Sequence, residues 1–122
     1  MRKLGKLDYT FGILIAVALI LVANKAIALD SKEQDQFCLA QNIYFEAGNQ
    51  PLVGKIAVSQ VVINRVEDKQ FPSTICGVVY QSKLGTNWRG QVYPLRNKCQ
   101  FSWYCDGKSD KPTDSKTWLE SV

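Results

Sequence analysis

The stretch Glu33-Gln34-Asp35-Gln36-Phe37-Cys38-Leu39-Ala40-Gln41-Asn42-Ile43-Tyr44-Phe45-Glu46-Ala47 contains neither proline nor glycine, and its apolar residues recur at helical spacing. Leu39, Asn42, Ile43 and Glu46 share one stripe, with Phe37, Ala40, Tyr44 and Ala47 on the stripe beside it. This spacing predicts a helix, capped at its start by Asp30 or Ser31 and stopped by Gly48. Glu46 is the exception on an otherwise uncharged face. A carboxyl beside Ile43, Tyr44 and Phe45 is expected to be desolvated, which disfavours its charged form. A general acid uses that environment. The alternative is a glutamate that points to solvent or bonds a nearby backbone amide.

After Asn49-Gln50-Pro51, residues 52–66 are apolar on more than one stripe, which predicts a second helix largely enclosed by the rest of the domain. Phe71-Pro72-Ser73 reads as a turn, with Ser73 capping a short helix that runs through Tyr80. Residues 81–98 are polar and hold Gly85, Gly90 and Pro94, which predicts a long surface loop. From Cys99 to Cys105 polar and aromatic residues alternate, as in a short strand, and alternation would put Phe101 and Trp103 on one face. The pattern is that of a small α+β domain, mainly helical, with a short strand region.

Outward from this body, the N-terminus reads as an export signal. Arg2, Lys3 and Lys6 precede an uncharged apolar run at residues 11–23, and Ala26-Ile27-Ala28 supplies an A-x-A end, with cleavage expected after Ala28. Thirteen residues fall short of the ~17–25 of a spanning helix. If cleavage fails, residues 1–28 stay as an N-terminal membrane anchor, and the body at 29–122 is periplasmic or extracellular either way. In an oxidising compartment Cys38, Cys76, Cys99 and Cys105 favour two disulfides, with three pairings open.

Composition excludes several chemistries. The chain of 122 residues has no histidine, so Ser-His-Asp, Cys-His and His-ligated metal sites are ruled out. There is no glycine-rich phosphate loop and no C-x-x-C, so neither cofactor nor metal is expected. The formal net charge is +4, but residues 1–28 carry four basic side chains and one acid. The remainder has eleven basic and ten acidic residues, which argues against a nucleic-acid partner.

Four motifs in order, C-L-A-Q-N-I-Y-F-E-A-G-N-Q-P, V-G-K-I-A-V-S-Q-V-V-I-N-R-V, F-P-S-T-I-C-G-V-V-Y-Q and C-Q-F-S-W-Y-C-D-G, resemble the cell wall hydrolase family of spore cortex-lytic enzymes over residues 38–107. The resemblance implies a mainly helical, lysozyme-like domain that cleaves peptidoglycan glycan strands, with Glu46 as the catalytic residue. It further implies a lytic transglycosylase, which cuts the N-acetylmuramic acid to N-acetylglucosamine bond and leaves a 1,6-anhydro sugar. Members of the family usually continue past this point with a further helix and a segment rich in Gly, Thr, His and Tyr. Here the chain stops at Trp118-Leu119-Glu120-Ser121-Val122, which suggests a truncated or minimal copy.

One carboxylate suits that chemistry, because hydrolytic glycosidases normally use two. Between Cys38 and Cys105 the acids are Glu46, Glu67 and Asp68. Asp106 is the candidate for a second carboxylate, or else a turn residue before Gly107. Gln100, Ser102 and Trp103 are candidates to bind sugar, as are Tyr44 and Tyr80, whose rings serve a core equally well. Trp88 and Tyr93 are divided in the same way, and Asn64 and Arg65 read as fasteners between the second helix and the loop half. Two rival functions are a catalytically inactive, exported peptidoglycan-binding module and a small lysis protein acting through its N-terminal segment.

Overall fold

The computed structural model describes the backbone of residues 6–122 and the side chains from Thr10 onward. Arg2 and Lys3 of the expected n-region, and the side chain of Lys6, lie outside the described residues. The elements are α1 (Lys6–Ala47), α2 (Leu52–Glu67), α3 (Ile75–Val79), β1 (Ser82–Thr86), β2 (Val92–Cys99), a 3-10 turn (Ser102–Cys105) and α4 (Ser115–Leu119). The chain divides into two units, one ending at Glu33 and the other Gln34–Val122.

In the first unit, α1 passes through the expected cap without a break. Ser31 Oγ donates to Ala28 O at 3.0 Å, so the hydroxyl is satisfied inside the helix instead of starting a new one. Continuity also revises the length argument. The helix carries the apolar stretch past Ala23, so it is long and apolar enough to cross a membrane, a test that a signal sequence passes as well.

The second unit is built on a core of Cys38, Val62, Val78, Val79, Phe101 and Trp103. The Cys38–Cys76 disulfide ties α1 to α3, and Cys99–Cys105 closes a short loop. Gly48 ends α1 where backbones crowd: a Cβ there would lie 2.4 Å from Tyr44 O and 2.7 Å from Thr117 Cγ2. Pro51 caps α2 as the residue before its first turn.

Four expectations are corrected. The second helix is not enclosed: only Lys55 and Val62 of α2 are buried, while Leu52 and Val53 are 71% and 74% exposed. Its apolar residues are spread around the cylinder and the unit is too small to cover all of them. Thr74, not Ser73, caps α3, accepting from Gly77 N at 3.1 Å. Residues 81–98 form a hairpin, not a loop, with Leu84↔Pro94, Gly85↔Tyr93 and Thr86↔Val92 in register. Glycine and proline are tolerated because both strands are edges. Bare Gly85 makes room for the side chains crossing it, since a Cβ would meet Leu95 Cδ2 at 2.8 Å. Asn87 Oδ1 accepts from Arg89 N and Gln91 N, and Gly90 takes φ +77°, which completes the turn.

The last correction bears on the site. Residues 99–105 do not form a strand of their own: Cys99 ends β2, and the chain turns at Gln100 and Phe101 and enters the 3-10 turn. Seven extended residues would hold the terminal Cα atoms roughly 20 Å apart. The Cys99–Cys105 bridge holds them at 6.1 Å, so the disulfide and a strand exclude each other. Phe101 and Trp103 still enter one core, by way of the turn.

Candidate active site in a polar cleft

The end of α1 and the segment 102–109 face each other across a cleft of about 370 Å³ lined by Phe45, Glu46, Ser102, Trp103, Asp106, Lys108 and Ser109. The helix supplies Phe45 and Glu46 because the stripe that buries Asn42 and Ile43 leads, one turn on, to the helix end. The opposite wall is shaped by the Cys99–Cys105 bridge and by an Asp106 turn. Asp106 Oδ1 accepts from Lys108 N at 2.8 Å, and Asp106 Oδ2 lies 4.0 Å from Lys108 Nζ.

Trp103 joins the two walls. It stacks on Phe45 with ring centroids 4.7 Å apart and planes 19° apart. Its Nε1 donates to Asn42 Oδ1 at 2.9 Å, and Asn42 is fully buried with Nδ2 unpartnered. A buried donor without a partner costs about 1–3 kcal/mol. Asn42 is therefore held at some expense, and the bond to Trp103 is what it provides. Trp103 is 7% exposed, so it forms the cleft floor and not an open sugar platform.

The other sequence-derived candidates separate. Glu46 and Ser102 are both exposed and both line the cleft. The desolvation expected for Glu46 is therefore not found: Phe45 turns onto Trp103 and Tyr44 turns away, leaving the carboxyl at the rim. No hydrogen bond or ion pair engages Glu46 among the described residues. The Tyr44 hydroxyl accepts from Thr113 N (3.1 Å) and Asp114 N (3.0 Å), which pins the C-terminal segment. These two amides, Asp114 first, hold its phenol below the usual range. Tyr80 donates to Gln41 Oε1 and packs on Tyr104 and Trp103, a core position where burial, ahead of the neighbouring Tyr104 and Asp110 charges, pushes its phenol up.

Gln100 lies outside the cleft. With its amide oxygen turned to Arg65, it accepts from Nη2 at 3.0 Å and Nη1 at 3.2 Å. Arg65 also sits over the rings of Phe71 and Phe101, so it fastens α2 to the loop half as its position suggested. Asn64 bonds Gln60 on its own helix. Asp106 shares the cleft with Glu46. Nearby Asp110 has its carboxyl pushed up by burial and then by Asp106. Lys108, Ser109 and the buried Asn42 were missed by sequence reasoning. The one available signal was an asparagine on an apolar stripe, four residues before Glu46.

Known relatives are similar to part of the chain. The spore cortex-lytic enzyme of Bacillus cereus is 33% identical over 67 residues, 54% of this chain and 26% of that protein. The spore cortex-lytic enzyme of Halalkalibacterium halodurans is 36% identical over 62 residues, 50% of this chain and 19% of the relative. That of Bacillus subtilis is 34% identical over 61 residues, 49% and 20%. The chain thus spans a fifth to a quarter of the length of these relatives. No solved structure matches it significantly. The family model described as Cell Wall Hydrolase matches residues 49–121, beginning three residues after Glu46. On that match, which takes in α2, the hairpin and the Ser102–Asp106 wall of the cleft, the chain belongs to the cell wall hydrolase family.

Proposed function

We propose that the chain cleaves peptidoglycan glycan strands between N-acetylmuramic acid and N-acetylglucosamine, with Glu46 as the single general acid/base. Residues 29–122 then form the catalytic domain, of lysozyme-related descent and acting outside the cytoplasm. Residues 1–28 are its signal peptide or membrane anchor.

The observation that carries this reading is the pairing of an unengaged carboxyl with a polar, open-ended cleft in a member of this family. Glu46 protonates the glycosidic oxygen as the C–O bond breaks. The resulting carboxylate then takes the proton of the muramic acid 6-hydroxyl as that oxygen bonds the anomeric carbon. The proton count closes without water, and the product is a 1,6-anhydro end. A hydrolytic outcome needs a second carboxylate free to activate water. Asp106 is the nearest candidate, but both its oxygens face Lys108 groups. Exposure of Glu46 is compatible with this role, because a glycan strand seated in the cleft excludes water from the rim.

The test is the rate at which the full chain solubilises purified sacculi. Glu46→Gln is expected to lose ~10²–10⁴-fold, the usual worth of a general acid. Asp106→Asn is expected to stay within about tenfold. Equal losses in the two variants would replace the one-carboxylate mechanism with a paired one. Binding of sacculi without release by the unsubstituted chain would make it a binding module.

A further inference from the structure

The hairpin formed by β1 and β2 is set apart from the rest of its unit by charge, and it also carries exposed apolar side chains. Residues 34–122 carry ten basic and eight acidic side chains. Four of the ten, Lys83, Arg89, Arg96 and Lys98, lie between Ser82 and Cys99, and none of the eight does. On the same hairpin Leu84, Trp88 and Val92 are 61%, 87% and 64% exposed. Leu84 and Val92 share one face, because Leu84 pairs with Pro94 and Thr86 with Val92. Trp88 stands at the tip, with the Arg89 guanidinium 4.5 Å from its ring centroid.

None of these apolar side chains lines the Glu46 cleft, and none supports the core. We infer that this hairpin docks lengthwise on a bilayer surface rich in anionic headgroups, with Trp88, Leu84 and Val92 at the headgroup–acyl boundary and the hairpin's cations on the phosphates. Two features favour a bilayer over a soluble polyanion, and a third, the charge, suits either. Leucine and valine gain nothing from a hydrated polymer but are stabilised on leaving water. Indole prefers the membrane–water boundary. Cations near an anionic leaflet gain attraction with no acid here to offset it. Arg89 suits both partners at once, since its flat face rests on Trp88 while its N–H edge stays open to phosphate. The inference is independent of the catalytic proposal.

The experiment uses the full chain in vesicles of phosphatidylcholine alone, or mixed equally with phosphatidylglycerol, each prepared with and without brominated acyl chains. Tryptophan emission is compared between the unsubstituted chain and Trp88→Ala. The difference isolates Trp88 from Trp103 and Trp118, and from any insertion of α1. The expected result is bromine quenching of the Trp88 component in the anionic vesicles and little in the neutral ones. Each cation changed to Gln should lower the docked-to-undocked ratio on the order of fivefold. Trp88→Ala should leave the melting temperature unchanged. An unquenched Trp88 in both vesicles, or equal quenching in both, overturns the inference. So does a Trp88 shift with soluble wall polymer that vesicles fail to produce.

Discussion

The two walls of the cleft are held by different means. The helical wall is anchored through Cys38–Cys76, which closes 38 residues and ties α1 to the apolar core. The opposite wall is a turn of four residues, held by Cys99–Cys105 across a separation of six and by the Trp103–Asn42 bond. Loop-closure entropy makes the long-range bridge the larger stabiliser, at about 4 kcal/mol against about 2 kcal/mol. The short bridge, however, shapes the surface opposite Glu46. Global stability and local site geometry are therefore assigned to separate covalent links.

Breaking that division gives graded outcomes. Replacing Cys38 and Cys76 by serine should cost about 4 kcal/mol and lower the melting temperature by roughly 15–30 °C in calorimetry. Replacing Cys99 and Cys105 should cost about half as much in stability, yet reduce sacculus cleavage more than the first pair does at a temperature where both variants are folded. If the first pair proves the more damaging to folded-state activity, the division fails.

Asn42→Leu sharpens the comparison by leaving both bridges in place. It removes the unpartnered Nδ2 but strands the buried Trp103 indole N–H, so a cost of about 1–3 kcal/mol is expected by denaturant titration. A shifted Trp103 emission should accompany it. Asn42→Asp retains the acceptor and should restore that emission.

The smallest effect is at the far side of α2, where Lys55 Nζ meets Glu120 Oε2 at 3.0 Å. The hydrogen bond from Lys55, then its charge, holds the Glu120 carboxyl below its usual range. A depressed carboxylate stabilises above its unfolded pKa, and that contribution is lost as pH falls through the folded value. Unsubstituted chain and Glu120→Gln should therefore differ slightly in melting temperature at neutral pH and converge under acid conditions. A difference that grows on acidification would contradict the assignment.

How much of this was legible in the sequence follows from which forces act locally. The stripe around Asn42 and Ile43 and the stop at Gly48 are short-range signals, and the structure keeps them. The cysteines announced disulfides, but pairing depends on the tertiary path, and that path replaced the expected strand at 99–105 with a 3-10 turn. Gly85, Gly90 and Pro94 looked like loop residues because their cost in a strand depends on whether that strand is an edge. Exposure of α2 was hidden for another reason: periodicity records where apolar residues fall, not whether a small unit has enough chain to cover them. The position of Glu46 at the helix end was readable, while its exposure and its cleft partners Lys108 and Ser109 were not.

The central claim is that one carboxyl, Glu46, does the chemistry of this cleft. The most direct test is mass spectrometry of the glycan ends released from sacculi by the full chain and by Glu46→Gln. The account predicts fragments ending in 1,6-anhydro-muramic acid from the unsubstituted chain and their absence from the variant. Reducing ends, or anhydro ends released equally by both proteins, would contradict it.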